Sequence, residues 1–373
     1  MSTLKAILVY REASEDMKKF TDNPIPTIFG KSILKHYVDI LRERFDISTI
    51  YLYTPVEFEI FESIENVNIL TDISNIEKGT YIIIPLDVYI PSDALNILVN
   101  YYTSIGVDVV VLVAPCENAK NMPTLDVDTS TGKIIDIVSV DEERPDLVLT
   151  GIYIAEHEIA RELVVNDWRG VQKAVRSGLK IDKTYWSGEW CRIQTPWDLL
   201  ALAKATLLSE REPGLYIHPK AKISTRASIE VKEGPVIIDE NAYIDHDVLI
   251  RGPVYIGKNV YVGYGSLIRN FTIIEESSAI GSNVDITESV LLREVTVGRG
   301  SYISCSVIGE KAILEPGVVT RSVTGRTYRR AKGREVEKRG SIIGANSRIG
   351  AYTVLSPGRF IEKNTTIEPL TKL

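Results

Sequence analysis

Cysteine and histidine are scarce in this sequence, which limits the metal and disulfide chemistry open to it. Its 373 residues include 3 cysteines and 4 histidines. Cys116, Cys191 and Cys305 stand at unrelated positions, so they form neither a disulfide framework nor a zinc-ligand spacing. We therefore expect no disulfide and no zinc site, and we expect the protein to function in a reducing compartment, the cytoplasm.

Long apolar runs and a strong positive charge are also missing. No stretch approaches the roughly 18 apolar residues of a membrane span, and the apolar run before Arg11 is too short for a signal peptide. The formal net charge of −7 does not favour a protein that coats nucleic acid. We expect a soluble protein with no membrane partner, and nucleic acid is not an expected ligand.

The first half of the chain alternates β-rich runs with amphipathic helical patterns. Residues 4–10 and 80–86 are typical of buried strands, and residues 32–45 are typical of a helix that Ser32 can cap. Such alternation predicts an α/β domain with a largely parallel, Rossmann-like sheet covered on both faces. Ligands of these sheets bind at the carboxyl ends of the strands.

The second half has a period of six. Aliphatic residues recur at Ile217, Ile223, Ile229, Ile238, Ile244, Ile250, Ile256, Val262, Ile268, Ile274, Ile280 and Ile286, and again at Ile343, Ile349, Leu355, Ile361 and Ile367. Helices and single strands lack this period, so it predicts a parallel β-helix with one hexapeptide per face of a triangular coil. A β-sandwich, the alternative, would need irregular turns. We predict an α/β domain over 1–212 and a β-helix over 213–373, with a basic insertion at 320–340.

Local matches connect both halves to a known family. They are Gly30-Lys31, Asp87, residues 147–153 (LVLTGIY), Trp190 and Thr195-Pro196. With the order of the two halves, they resemble the sugar-1-phosphate nucleotidyltransferases that carry a C-terminal left-handed β-helix. That family includes archaeal sugar-phosphate nucleotidyltransferases and bifunctional N-acetylglucosamine-1-phosphate uridyltransferase/acetyltransferases. The resemblance implies a left-handed β-helix and a homo-oligomer, expected to be a trimer.

The family's phosphate-binding loop, L-A-A-G-x-G-T-R, has changed character here. Its two glycines fall on Arg11 and Ala13, and its arginine falls on Glu15. The lysine of the P-K-P that follows is Ile25. Because acidic residues repel a triphosphate, we expect a solvated surface loop in this place.

The family's pair of magnesium-binding aspartates has changed as well. Asp87 stands at the first position and Arg192 at the second. An arginine cannot ligate Mg²⁺, so no metal or other cofactor is expected; Mg²⁺ would be needed only by a rebuilt active site, on Asp87. We expect Arg192 to pair with Asp87 within about 4 Å. The alternative is that Arg192 extends into solvent and Asp87 caps the helix beginning near Pro91.

The resemblance also implies further site residues. Tyr10, Asp87, Gly151 and Trp190 correspond to substrate-binding positions, and Asp87 would be a vestigial catalytic residue. In the β-helix, Tyr302 is a vestige of the acetyltransferase motif V-P-H-x-S-Y.

The acetyltransferase motif has lost its base. Its histidine is Arg299 here, and the family's asparagine on the next coil is Ser322. His246 is a general-base candidate or an exposed turn histidine.

The insertion at 320–340 carries a net charge of +6. It is a candidate site for a phosphate-bearing ligand, a nucleic-acid backbone or an acidic partner, and the alternative is a solvated loop. The candidate anion-binding residues are Arg326, Arg329, Arg330, Lys332 and Arg334.

Three functions remain open from the sequence. The first is a catalytically impaired paralogue, which regulates or scaffolds an active nucleotidyltransferase or binds a nucleotide or nucleotide sugar. The second is an active sugar-1-phosphate nucleotidyltransferase with a rebuilt site, which would convert a nucleoside triphosphate and a sugar-1-phosphate to a nucleotide sugar and pyrophosphate. The third is an acyltransferase that works from the β-helix alone.

Overall fold

A computed structural model describes residues 4–23, 25–55, 64–117, 119–142, 144–232, 234–322 and 339–373. The chain forms two compact units: Met1–Glu12 with Ser32–Arg192, and Ala13–Lys31 with Ile193–Leu373. Residues 13–31 therefore group with the C-terminal coils. We predicted a domain boundary between residues 212 and 213. It stays a prediction, because the two units are defined by contacts and not by independent folding.

Six α-helices and one 3₁₀-helix occur in the described residues. The predicted helix over 32–45 is confirmed, and the Ser32 hydroxyl accepts a hydrogen bond from the Lys35 amide as its cap. The α-helices are Glu15–Phe20, Ile33–Phe45, Ser92–Ser104, His157–Asn166, Trp168–Arg176 and Asp198–Ser209, and the 3₁₀-helix is Ile73–Asn75. None of these helices is long and apolar enough to cross a membrane.

The first unit contains a mixed β-sheet. Leu4–Val9 lies between Ile50–Tyr53 and Thr80–Pro85, and all three strands are parallel. The long strand Asp146–Glu156 runs antiparallel to both Thr80–Pro85 and Val109–Cys116. The α/β fold is thus confirmed, but the sheet is less parallel than expected because an antiparallel strand enters its centre. The remaining strands of this sheet are Asn68–Leu70, Pro123–Val127, Ile134–Ser139 and Ile181–Tyr185.

Two short ladders also precede the β-helix in the residues that the structure describes. Thr27–Ile28 pairs with Lys31–Ser32. Val88–Tyr89 pairs antiparallel with Cys191–Arg192, which places Arg192 opposite Val88. The second ladder positions the site described below.

The C-terminal coils form three stacked parallel sheets, which is the parallel β-helix that the six-residue period predicts. This arrangement agrees with the left-handed β-helix that the resemblance implies. The first sheet contains Leu215–Ile217, Val236–Ile238, Val254–Ile256, Thr272–Ile274, Val290–Leu291, Val307–Ile308, Ser341–Ile343 and Arg359–Ile361. The second contains Lys222–Ile223, Tyr243–Ile244, Tyr261–Val262, Ala279–Ile280, Thr296–Val297, Ile313–Leu314, Arg348–Ile349 and Thr366–Ile367. The third contains Ser228–Glu230, Leu249–Arg251, Leu267–Arg269, Asp285–Thr287, Tyr302–Ser304, Val319–Thr320 and Val354–Leu355.

The repeating aliphatic residues form the core of the coils. Ile238, Ile244 and Ile250 are almost fully buried, and equivalent residues stack above them from coil to coil. The break in the period is a shortened coil, since Ile274 pairs with Leu291 one residue short of three hexads. Leu291 pairs with Ile308 in the same shortened register, and pairing continues across the insertion from Ile308 to Ile343. The core therefore stays continuous although the sequence repeat is interrupted.

Residues 13–31 are bound to these coils by backbone and side-chain contacts. The Ala345 amide donates to the Phe20 carbonyl over 2.8 Å, and the Lys363 amide donates to the Lys19 carbonyl over 2.8 Å. The Thr21 hydroxyl donates to the Glu310 carboxylate over 2.5 Å. These contacts attach residues 19–21 of this segment to the coils of the second unit.

Candidate active site

Two neighbouring parallel strands place Arg11 and Asp87 close together. Val9 and Pro85 are paired at the carboxyl ends of these strands, and each site residue follows two positions later. The Arg11 Nη1 atom lies 3.7 Å from Asp87 Oδ1. The arrangement fits the expectation that a site forms at this edge of the sheet.

Arg192 reaches the same carboxylate from the short ladder that follows Asp87. Its Nε donates to Asp87 Oδ2 over 3.2 Å, and both side chains are 21% exposed. The predicted pair is confirmed, with one hydrogen bond in place of the two parallel bonds that a guanidinium can donate. The alternative is wrong, because Pro91 precedes the helix Ser92–Ser104 and no side chain caps it.

Arg11 also contacts a second carboxylate. Its Nη2 lies 2.9 Å from Asp167 Oδ1, which accepts a hydrogen bond from the Tyr153 hydroxyl over 2.9 Å. Burial tends to lower the pKa of Arg11, but the Asp87 and Asp167 carboxylates raise it by a larger amount. Burial raises the pKa of Tyr153, and the Asp167 carboxylate raises it further. Both groups therefore keep their protons.

The expectation of a solvated surface loop after the first strand is wrong for Arg11. Its side chain is 25% exposed and bridges two carboxylates. Arg11 and Ala13 stand at the two glycine positions of the family's loop. The cationic side chain of Arg11 contacts two carboxylates at the edge of the sheet. Electrostatic attraction to Asp87 and Asp167 is the physical reason.

Asp167, Tyr153 and the role of Arg11 were missed by the sequence reasoning. Tyr153 belongs to the LVLTGIY match, so its place beside the site could have been found from that motif. Asp167 lies between the helices His157–Asn166 and Trp168–Arg176 and has a positive φ of 51°. Nothing in the local sequence indicates that it reaches Arg11.

The other sequence candidates of the first unit lie at varying distances from this cluster. Gly151 belongs to it, since a Cβ added there would lie 3.7 Å from Asp167 Oδ1 and 3.9 Å from Arg11 Nη2. Its φ of +90° also favours glycine. Tyr10 is buried, and its amide donates to the Tyr53 carbonyl. Trp190 donates from Nε1 to the Pro115 carbonyl over 2.8 Å and packs on a separate apolar cluster.

The candidates in the β-helix belong to the second unit. Tyr302 is 37% exposed on the third sheet, and the Ser304 hydroxyl donates to Ser322 over 2.9 Å. His246 is exposed at a turn, next to the carboxylate of Asp245. Arg326, Arg329, Arg330, Lys332 and Arg334 lie outside the described residues, so their anion-binding role stays a prediction.

The residues around Asp87 do not fit a magnesium ion. Its carboxylate faces Arg11 and Arg192, and the neighbouring carboxylate of Asp167 is held by Arg11 and Tyr153. Across the part of the chain that the structure describes, no cluster of three acidic, histidine or cysteine side chains is placed to hold a metal. A divalent cation here would face two guanidinium groups, which repel it.

Comparisons with known proteins agree with this architecture. The family model of the GMPPB C-terminal domain matches residues 250–339. The bifunctional protein GlmU of Methanococcus vannielii is 23% identical in an alignment 403 residues long, which covers 98% of this chain and 93% of that protein.

Two further relatives each match a little less than half of the chain. The bifunctional sugar-1-phosphate nucleotidylyltransferase/acetyltransferase of Sulfurisphaera tokodaii is 30% identical over 193 residues, covering 49% of this chain and 46% of that protein. The uncharacterized acetyltransferase YaiX of Escherichia coli O6:K15:H31 is 36% identical over 183 residues, covering 46% of this chain and 80% of that protein.

Proposed function

Because the chain belongs to the sugar-1-phosphate nucleotidyltransferases that carry a C-terminal left-handed β-helix, we propose that it is a catalytically impaired member of that family. Its role would be that of a regulatory or scaffolding subunit, or of a protein that binds a nucleotide sugar without turnover. The observation that carries the proposal is the position of Arg192, whose Nε lies 3.2 Å from Asp87 Oδ2. A guanidinium thus takes the place where the resemblance implies the second metal-binding carboxylate.

The charge balance of the cluster supports this proposal. Arg11 and Arg192 contribute two positive charges, and Asp87 and Asp167 contribute two negative charges. Each carboxylate therefore has a cationic partner without any metal ion. Reaction at a triphosphate needs positive charge to stabilise the negative charge that develops on the phosphates. This cluster has no net positive charge, because its two cations are paired with its two carboxylates.

Binding without turnover is compatible with the same groups. Arg11 and Arg192 are each about a quarter exposed or less, and both can donate hydrogen bonds to a phosphate oxygen. The substrate-binding positions Tyr10, Gly151 and Trp190 remain candidates for contact with a nucleoside or sugar. The partners proposed from the sequence are a nucleotide or nucleotide sugar and an active nucleotidyltransferase paralogue.

An active sugar-1-phosphate nucleotidyltransferase is the second candidate. It is favoured by the similarity to a bifunctional GlmU over 98% of this chain. It requires that Arg11 and Arg192 replace the metal as the groups that stabilise the phosphates.

An acyltransferase acting from the β-helix is the third candidate. The 36% identity to the uncharacterized acetyltransferase YaiX favours it. Against it, Arg299 stands where the family's motif has its catalytic histidine.

Pyrophosphate release separates the first two candidates. The full chain is incubated with each nucleoside triphosphate and hexose-1-phosphate pair, with and without Mg²⁺, next to an active bifunctional relative as the positive control. We expect no release above the no-enzyme background. Release that depends on both substrates, and is lost in an Arg192→Ala variant, would favour an active enzyme with a rebuilt site. Acetyl-CoA consumption in parallel samples that contain acetyl-CoA and an amino-sugar phosphate tests the acyltransferase.

The assembly and location of the protein are proposals from the sequence and the family. We propose a homotrimer in the cytoplasm, and light scattering after size-exclusion chromatography would measure its mass. We also propose that the basic insertion binds anions, so its binding to phosphate-bearing ligands should weaken steeply as salt increases. Deletion of residues 323–338 that leaves such binding unchanged would remove this role.

A further inference from the structure

The second unit contains a cavity of about 670 Å³ that is distinct from the Asp87 cluster of the first unit. Residues of the helix Asp198–Ser209 and of one corner of the β-helix line it. Pockets for small organic ligands usually enclose roughly 300–1,000 Å³, so the cavity has the volume for such a ligand.

The β-helix side of the cavity includes Phe271, Glu288 and Cys305 from three successive coils. Their φ angles are 53°, 48° and 47°, in the left-handed region. Glycine and asparagine adopt this backbone most readily, yet this corner carries a ring, a carboxylate and a thiol. The Cys305 thiol donates to Glu288 Oε2 over 3.5 Å. The corner therefore presents chemically distinct groups side by side.

The remaining lining residues supply an aromatic ring and two cations. The Arg339 guanidinium lies 5.8 Å from the centroid of the Trp197 ring. Lys204 is exposed and lines the same cavity. A guanidinium next to a tryptophan can stack on its face and still donate hydrogen bonds to an anion from its edge.

The acidic groups of the wall have separate roles. Asp198 Oδ2 accepts hydrogen bonds from the Gln194 amide and from both the amide and the hydroxyl of Thr195, so it holds the start of its helix. Asp16 is exposed. Glu288 lies on the coil next to Phe271, so its carboxylate can accept a hydrogen bond from a ligand beside that ring.

We propose that this cavity binds a nucleotide. Its flat base packs on the Phe271 ring, and its phosphates contact Lys204 and the Arg339 guanidinium that Trp197 positions. An amino group of the base or a hydroxyl of the sugar donates to Glu288. The proposal goes beyond the function assigned to the first unit, because no residue of the Asp87 cluster belongs to this wall.

Calorimetric titration of the full chain with ADP tests the proposal. We expect saturable binding, and we expect Arg339→Ala to weaken it about 10-fold, since a hydrogen bond to a charged group is lost. Arg359→Ala is the matched control: Arg359 is an exposed arginine of the β-helix that does not line the cavity. Circular dichroism checks that each variant is folded. Absence of binding, or equal weakening in both variants, overturns the proposal.

Two further arms locate the bound ADP and define its chemistry. Binding that is lost in Arg192→Ala but kept in Arg339→Ala would assign the ligand to the first unit and overturn the proposal. Inorganic phosphate that binds as tightly as ADP would show a simple anion site and overturn it as well.

Discussion

The Nη2 atom of Arg11 lies 2.9 Å from Oδ1 of Asp167, and it joins the loop after the first strand to the turn between two helices. Asp167 has a backbone φ of 51°, a conformation that costs a residue other than glycine free energy. Its carboxylate is held there by Arg11 and by the Tyr153 hydroxyl. The ion pair therefore maintains a turn that its sequence alone does not favour.

Removal of the Arg11 side chain should destabilise the first unit. Arg11→Ala leaves Asp167 and Asp87 with one partner fewer each, and we expect a loss of about 1–3 kcal/mol because both sites are only partly exposed. Urea unfolding measures the effect. The control is Arg44→Ala, which removes an exposed pair with Asp93 and should change stability by less than about 1 kcal/mol. Equal losses in the two variants would contradict the role given to Arg11.

Magnesium should have no specific effect on stability. A ligand that binds only the folded state raises the melting temperature, and the Asp87 cluster has no net negative charge to attract a divalent cation. We expect the same melting temperature in MgCl₂ and in NaCl of equal ionic strength. A rise in MgCl₂ that disappears in Asp87→Asn would show that a metal does bind this carboxylate.

The buried carboxyl of Glu275 should make stability depend on pH. It accepts a hydrogen bond from the Gly30 amide over 2.9 Å, and burial raises its pKa from 4.5 to about 8. Between these two values the unfolded chain is ionised while the folded chain keeps the proton. Stability from this group is therefore complete below pH 4.5 and is lost as pH rises towards 8.

A Glu275→Gln variant isolates this titration. Its amide cannot ionise, so the difference in unfolding free energy between wild type and variant should move against the wild type between pH 5 and pH 8, on the order of a few kcal/mol. Urea unfolding at several pH values provides the measurement. A difference that stays constant with pH would mean that the carboxyl titrates normally.

Two glycines of one turn should respond differently to alanine. A Cβ on Gly298 would lie 2.4 Å from the Pro316 backbone nitrogen of the next coil, whereas a Cβ on Gly300 meets nothing within 4 Å. Gly300 has a φ of +68°, so Gly300→Ala should cost only the backbone strain, about 1–2 kcal/mol. Gly298→Ala must separate two coils and should cost more. Thermal unfolding of the two variants gives the order, and the reverse order would contradict the explanation.

The architecture could be predicted from the sequence because its signals are periodic. The recurrence of Ile244, Ile250 and Ile256 encodes the coils directly, since each buried aliphatic residue repeats the same packing. The helix capped by Ser32 follows from a local pattern in the same way. The pairing of Asp87 with Arg192 was predictable because the resemblance places both residues at one metal site.

The remaining features depend on contacts between distant parts of the chain. Arg11 was assigned to a solvated loop because acidic residues of that loop would repel a triphosphate, and only the fold brings Asp167 next to Arg11. The cavity beside Trp197 combines a helix with a β-helix corner, so no linear motif describes it. The attachment of residues 13–31 to the coils is likewise absent from any local pattern.

That attachment has a consequence for the order of events during synthesis. Asp22 forms its ion pair with Lys363, 341 residues further along the chain. The segment around the first helix leaves the ribosome before the coils that carry Ala345 and Lys363, to which its backbone is bonded. The bonds of Lys19 and Phe20 therefore form only after those coils have been translated. Loss of the coils that carry Ala345 and Lys363 would leave this segment without part of the surface to which it binds.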